Sequence, residues 1–188
     1  AYATELSEGA KLAGAVNAIK FEGDRVLGQN FDGVGLVRDV VHNLACLLAG
    51  KRVLVIGAGG ATRGALIPIL SQKPALLVIA NRTLAKAQAL VAQVLAQQPS
   101  AKGRLQAMGY QHLVGEQFDV VFNATSASLT GDLPPVPATV FAPNGLAYEL
   151  AYAKGLTPFL RLAQNAGVKH IALGSDFDGA VRTAFDTT

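Results

Sequence analysis

The chain has 188 residues, enough for one medium domain or for one domain and part of another. Hydrophobic residues make up 51% and charged residues 15%, which favours a large core and argues against disorder. A net charge of +3 without a Lys/Arg cluster or any Trp argues against a nucleic-acid surface, and the single cysteine, Cys46, excludes an internal disulfide. With no apolar segment of membrane-spanning length, we expect a cytoplasmic protein without a nucleic-acid or membrane partner.

The first elements differ in pattern from the rest of the chain. Loose alternation around "EGD" predicts a hairpin over residues 15–30. Apolar residues at helical spacing then predict a helix from Leu36 to Leu48 that stops at Gly50.

From residue 51 onwards, predicted strands alternate with predicted helices. The strands are "KRVLVIG", "ALLVIAN", "RLQAMGY", "FDVVFNAT", "LAYELAY" and "KHIALG". The helices are "GATRGALIPILSQ", "LAKAQALVAQVLAQQ" and "TPFLRLAQNAG", the last with Thr157 as its cap and Pro158 in its first position. Strands that are apolar on both faces indicate a parallel sheet covered on both sides, so we predict a doubly wound α/β domain. The Pro-rich "GDLPPVPATVFAPNG" is predicted to be a loop.

The most specific motif is "VLVIGAGGATRGAL", a glycine-rich turn between a strand and a helix. Glycines let a backbone approach the pyrophosphate of a dinucleotide, and the start of the helix supplies unpaired N–H groups. Gly64 stands nearest to the third glycine of the usual motif. We predict a cofactor-binding loop, with a plain tight turn as the weaker alternative. Its predicted residues are Gly57, Ala58, Gly59, Gly60, Ala61 and Arg63.

The end of the next strand discriminates between cofactors. An NAD site usually has a carboxylate there for the ribose 2′-hydroxyl, whereas this strand ends in Asn81, Arg82 and Thr83. A guanidinium can pair with a 2′-phosphate and stack on adenine, so the motif predicts NADP. The alternative is a solvated arginine at a strand end.

Small polar residues follow the strand "FDVVFNAT". Asn123, Thr125 and Ser126 suit a close approach to a ribose or a nicotinamide, and they equally suit simple turn chemistry.

Taken together, these motifs resemble shikimate dehydrogenase, an NADP-dependent family that reduces 3-dehydroshikimate. The similar phrases are "LAGAVNAI", "GQNFDGVGL", "VLVIGAGGATRG", "NRT", "FDVVFNATS" and "AYELAYAKGLTPFL". They occur in family order from about residue 6 to about residue 168. The resemblance implies a Rossmann-like NADP-binding domain over residues 33–168, preceded in residues 1–32 by a hairpin remnant of a substrate domain.

The same resemblance implies roles for individual residues. Asn17 resembles a ligand of a substrate hydroxyl, Asp32 the catalytic aspartate, and Tyr152 a tyrosine that faces the substrate. Phe31 stands where the family usually has Thr, and Glu149 where it commonly has Asp.

Other family features have no counterpart. The catalytic lysine and the serine pair for the substrate carboxylate belong upstream of the matched residues, so Asp32 lacks its partner lysine, and Lys20 does not match that position. Val181 stands nearest to the place of a substrate-contacting glutamine.

The last segment, "VKHIALGSDFDGAVRTAF", instead resembles a strand and loop of the membrane-dipeptidase family. Its zinc ligands have no counterparts, so we expect no metal site, and Asp176 and Asp178 are interpreted as capping a helix. The change near residue 168 predicts a chimera with residues 169–188 as its third part; the alternative is a divergent natural gene.

Three functions are compatible with these observations. The chain is an NADP-binding domain that performs no chemistry, an active shikimate dehydrogenase-like enzyme, or a folded chimera without retained activity. A shikimate-like substrate is expected only if the site is completed. Apolar surface on the hairpin and first helix favours a homodimer or a segment-exchanged oligomer.

Overall fold

The computed structural model describes residues 2–151 and 155–174. The strands within these ranges are β1 (Glu5–Leu6), β2 (Ala18–Glu22), β3 (Arg25–Gln29), β4 (Arg52–Ile56), β5 (Leu76–Ala80), β6 (Leu105–Met108), β7 (Phe118–Asn123), β8 (Phe141–Glu149) and β9 (His170–Leu173). The α-helices are α1 (Glu8–Ala13), α2 (Asp32–Arg38), α3 (Gly60–Ser71), α4 (Leu84–Gln97) and α5 (Pro158–Asn165). Short 3₁₀ turns lie at Pro99–Ala101, Tyr110–Leu113, Ala127–Leu129 and Ala138–Val140.

The larger sheet contains six parallel strands in the order β6-β5-β4-β7-β8-β9. Alternate residues of each strand point to opposite faces, and both faces are covered. In β4, Val53 and Val55 belong to the core under α2, α3 and α4, whereas Leu54 and Ile56 belong to the core under α5. All four side chains are buried, which explains the continuous apolar runs and confirms the predicted doubly wound α/β sheet.

The smaller sheet is formed by the N-terminal part of the chain. Its order is β1-β3-β2, with β2 and β3 antiparallel as the predicted hairpin and β1 parallel to β3. Most of β2 is exposed, including Ile19 and Phe21. The sheet joins the larger unit through α1 and α2, which both contact α3.

Helices α2 and α3 meet at a pair of glycines. A Cβ atom on Gly33 would lie 2.2 Å from the carbonyl oxygen of Gly64 and 2.7 Å from the Cα of Ala65. A Cβ atom on Gly64 would lie 3.1 Å from the side-chain oxygen of Asn30. The two backbones are therefore in direct contact, and Gly64 provides close packing against α2 and the segment before it.

The helix predicted from Leu36 to Leu48 is wrong in its bounds. α2 begins at Asp32, changes to a π-helix over Asp39–Asn43, and the chain leaves the helix after that. The buried carboxylate of Asp39 accepts hydrogen bonds from the Tyr148 hydroxyl (2.8 Å) and from the Asn43 amide (2.7 Å). These contacts occur where the helix changes form, and one of them comes from a residue distant in sequence.

The Pro-rich segment is only partly a loop. β8 begins at Phe141, inside it, and runs to Glu149 with a register irregularity opposite Phe118 and Val120. At the other end of the chain, β9 lies parallel to β8, with Leu146 opposite His170. Residues 175–188, with Asp176, Asp178 and Val181, lie outside the described residues. No helix in the described ranges is both long and apolar enough to cross a membrane.

Candidate nucleotide-binding site

The glycine-rich turn lies where the strand order of the larger sheet reverses. From β4 the chain goes to β5 and β6 on one side and returns to β7 on the other, so the loops after β4 and β7 diverge at the carboxyl edge. Such a point opens the crevice in which doubly wound sheets bind ligands. Gly57 is the first residue after β4, with a φ of 106° that favours glycine, and its N–H donates to Ala80 O (2.7 Å).

The turn leads directly into α3. Gly59 is the N-cap residue and Gly60 the first helical residue; both are exposed, and a Cβ atom added to either would meet none of the described residues within 4 Å. Thr62 is buried and its hydroxyl donates to Gly57 O (2.9 Å), which fixes the turn from inside. The first N–H groups of the helix lie beyond intrahelical bonding and are suited to an anion. Ala58 is half-buried.

The remaining two predicted loop residues, Ala61 and Arg63, are exposed on the first turn of α3. The Arg63 N–H donates to Gly59 O (3.0 Å), and its cationic side chain adds positive charge at the end of the helix where the dipole is already positive.

Arg82 lies exposed at the carboxyl end of β5, on one side of the glycine turn. The Asn81 amide donates to Thr83 O (2.9 Å), and the Asn81 N–H donates to Met108 O (3.1 Å). These bonds hold the turn that carries the guanidinium. Within residues 2–151 and 155–174, no carboxylate forms a salt bridge with Arg82.

Tyr110, which the sequence interpretation missed, lies beside Arg82. Burial raises the pKa of its phenol, and the charge and backbone N–H of Arg82 act in the opposite direction. A half-buried ring next to an exposed guanidinium is suited to contact with a flat, negatively charged group. The sequence signal was only an aromatic residue at the end of the predicted short strand "RLQAMGY".

Asn123 is completely buried at the end of β7, and its side chain is engaged within the protein. Its oxygen accepts from the N–H (3.2 Å) and hydroxyl (2.8 Å) of Thr125, and its amide donates to Glu149 (2.9 Å). The structure therefore favours the turn-chemistry alternative for Asn123. Thr125 is half-buried and Ser126 exposed in the same turn.

The structure brings Asp32 and Asn17 into direct contact. The Asn17 amide donates to the Asp32 carboxylate (2.5 Å), and Asn17 Oδ1 accepts from the Phe31 N–H (3.0 Å). The Asn30 amide donates to the other Asp32 oxygen (3.4 Å), and the Asp32 carboxylate is exposed. Lys20 instead forms an ion pair with Glu22 (2.5 Å).

Gly33, the residue after Asp32, contacts Gly64 of α3. This contact holds the start of α2 against the helix that follows the glycine turn. Asp32 therefore belongs to a segment that packs against α3, the helix that follows the glycine turn. Tyr152 lies outside the described residues.

The model of the shikimate / quinate 5-dehydrogenase family matches residues 39–130. The chain is 53% identical over 175 residues to the NADP(+) shikimate dehydrogenase of Chromobacterium violaceum, covering 92% of this chain and 62% of that protein. The identity is 49% over 172 residues to the enzyme of the same name from Dechloromonas aromatica, covering 92% and 61%.

Two solved structures agree with this similarity. An Ael1 enzyme from Pseudomonas putida has a TM-score of 0.84 at 54% identity, covering 92% of this chain and 61% of its own. The shikimate 5-dehydrogenase of Thermus thermophilus, solved in complex with NADP(H) and shikimate, has a TM-score of 0.72 at 27% identity, covering 92% and 60%. The chain thus spans about three fifths of the length of the curated relatives it matches.

Proposed function

We propose that the chain is a member of the shikimate dehydrogenase family and that it binds NADP(H) at the carboxyl edge of its six-stranded sheet. The observation that carries the proposal is the glycine turn between β4 and α3, together with an arginine in place of a carboxylate at the end of β5. The pyrophosphate would lie on the N–H groups at the start of α3, against the exposed Gly59 and Gly60.

Arg82 is the proposed determinant for the 2′-phosphate. Its guanidinium is exposed and has no acidic partner in the described parts of the chain, so it is available for a charge-assisted pair. The ring of Tyr110 and the turn held by Asn81 limit where the adenine can lie.

The proposed reaction is the NADP-dependent interconversion of a ketone and a secondary alcohol on a shikimate-like ring. When bound, the nicotinamide exchanges a hydride with the ring carbon. Asp32 would exchange a proton with the substrate oxygen, and Asn17 would orient both the carboxylate and a substrate hydroxyl.

Within residues 2–151 and 155–174, no salt bridge joins Asp32 to a cation. The ammonium of Lys20 is held by Glu22, and the family's lysine has no counterpart at the matched positions. We therefore propose a chain that binds NADP(H) and is inactive on its own. The second candidate is an active dehydrogenase, which the hydrogen bond from Asn17 to Asp32 favours.

Fluorescence titration with NADPH and NADH tests the binding proposal. The wild-type chain should bind NADPH more tightly. Arg82→Ala should weaken NADPH binding by roughly tenfold to a hundredfold and leave NADH unchanged, because a charge-assisted hydrogen bond contributes about 1.5–3 kcal/mol. Arg161→Ala removes an exposed cation on α5 and serves as the matched control. Equal wild-type affinities for NADH and NADPH would contradict the role of Arg82.

An absorbance assay with shikimate and NADP separates the two candidates. No formation of NADPH by a chain that binds NADPH supports the inactive domain. Sustained turnover that is lost in Asp32→Asn supports the enzyme.

Two further proposals concern assembly and origin. The exposed apolar side chains of the smaller sheet, among them Ile19 and Phe21, favour self-association, which light scattering measures; a clean monomer would contradict it. Derivation of residues 169–188 from a membrane-dipeptidase-like segment, and thus a chimeric chain, stays a prediction.

A further inference from the structure

Glu149 lies at the carboxyl end of β8 and is completely buried. Its carboxylate accepts four hydrogen bonds. Oε2 accepts from Asn123 Nδ2 (2.9 Å), Ser128 Oγ (2.5 Å) and Thr157 Oγ1 (3.0 Å), and Oε1 accepts from Ala151 N (3.1 Å).

These four donors come from three separate segments. Asn123 and Ser128 begin and end the turn that follows β7, and the Ala151 N–H belongs to the chain as it leaves β8. Thr157 is the N-cap of α5, where its hydroxyl also accepts from the Leu160 N–H (3.2 Å). A single carboxylate therefore fixes the relative positions of all three segments. Burial of a carboxylate is costly, and the four hydrogen bonds offset that cost only in this arrangement.

The turn after β7 lies directly against the glycine turn. A Cβ atom on Gly57 would lie 3.0 Å from Ala124 O and 3.2 Å from the methyl group of Thr125. Because these backbones touch, a displacement of the turn after β7 alters the space beside the glycine turn. The turn after β7 lies on the β7–β8 side of β4, whereas Arg82 lies on the β5 side.

We propose that Glu149 is a positioning residue for the nicotinamide half of the cofactor, and this inference rests on the proposed function. A dinucleotide bound across the point where the strand order reverses extends to both sides of β4. With its adenosine half at Arg82, its nicotinamide half lies against the turn that Glu149 holds. Glu149 itself is buried and acts through that turn rather than by touching the cofactor.

Glu149→Gln tests this by comparing two ligands. The amide has nearly the same shape, but one of its two ends donates, so it cannot accept all four hydrogen bonds and the turn after β7 loses its fixed position. NADPH affinity should fall about tenfold, the effect of one unsatisfied buried group. Affinity for adenosine 2′,5′-bisphosphate, which lacks the nicotinamide half, should not change.

The matched control is Glu116→Gln. Glu116 forms an ion pair with Arg52 near the start of β7, at the opposite end of the sheet. The same change from carboxylate to amide should there leave both affinities unchanged.

Two more variants separate positioning from general stability. Ser128→Ala removes one of the two hydrogen bonds between Glu149 and the turn after β7, together with the bond that Ser128 Oγ accepts from Asn123 Nδ2 (3.3 Å). Both lost bonds involve this turn alone, so the variant should reproduce the selective loss of NADPH affinity. Thr157→Val removes the hydrogen bond between Glu149 and Thr157 and also the N-cap of α5. It should lower the thermal midpoint, and it should leave the ratio of the affinities for NADPH and adenosine 2′,5′-bisphosphate unchanged. If Glu149→Gln does not fold, Ser128→Ala decides the outcome.

An equal decrease in affinity for both ligands would overturn the inference while leaving the proposed function intact. An unchanged NADPH affinity in a folded Glu149→Gln or Ser128→Ala chain would do the same. A wild-type chain that binds neither ligand would overturn the proposed function and, with it, this inference.

Discussion

Replacing Gly33 by alanine should destabilise the chain through a backbone clash. The added Cβ would lie 2.2 Å from Gly64 O and 2.7 Å from Ala65 Cα, well inside contact distance, and both atoms belong to the backbone of α3. Neither can move without shifting a helix, so the cost is at the upper end of the range for overpacking, about 3 kcal/mol. For a chain of this size that corresponds to a decrease in Tm of roughly 6–12 °C.

Gly35→Ala is the matched control for this substitution. Gly35 is exposed on the same helix, and an added Cβ would meet none of the described residues within 4 Å. Alanine in a helix interior is favoured over glycine by roughly 0.5–1 kcal/mol, so this variant should be slightly more stable than wild type. Urea unfolding followed by circular dichroism measures both variants. A Gly33→Ala chain as stable as Gly35→Ala would refute the direct contact of α2 with α3.

Three further outcomes are expected. Gly57→Ala should lower the free energy of unfolding, measured with urea, by about 1–3 kcal/mol, because Gly57 has a φ of 106° and the added Cβ would lie 3.0 Å from Ala124 O. The same variant should bind NADPH more weakly in fluorescence titration. Burial raises the pKa of Tyr110 against the opposing effect of Arg82, so the unfolded chain loses this proton first as the pH rises. The free energy of unfolding should therefore fall less in Tyr110→Phe than in wild type between about pH 9 and 11, and an equal fall would contradict this. Burial also raises the pKa of the Cys46 thiol, so Cys46 should react with an alkylating reagent more slowly than free cysteine at about pH 8, with the difference lost in urea.

The strands of the larger sheet were predictable because their physical requirement is local. A parallel strand covered on both faces needs an uninterrupted apolar run, and β4, β5 and β7 each have one. The glycine turn was predictable for the same reason, since the conformation of Gly57 and the start of α3 depend on adjacent residues.

The errors arose where distant residues determine local structure. The helix predicted from Leu36 to Leu48 changes to a π-helix at Asp39, whose carboxylate is bound by Tyr148 more than a hundred positions later. Likewise, a spacing pattern could not show that Glu149 accepts hydrogen bonds from the turn after β7, from the segment after β8 and from a helix cap. For the same reason the sequence left two alternatives open for Asn123, whose partner Glu149 lies 26 positions later.

The strand order also has a consequence for the time at which the sheet closes during synthesis. β4 pairs with β5, the next strand in the chain, and with β7, which is synthesised only after α4 and β6. Until β7 has left the ribosome, the second edge of β4 presents unpaired N–H and C=O groups beside an apolar face. We expect the growing chain to depend most on chaperones in this interval, and slower translation between residues 57 and 117 to lengthen that dependence.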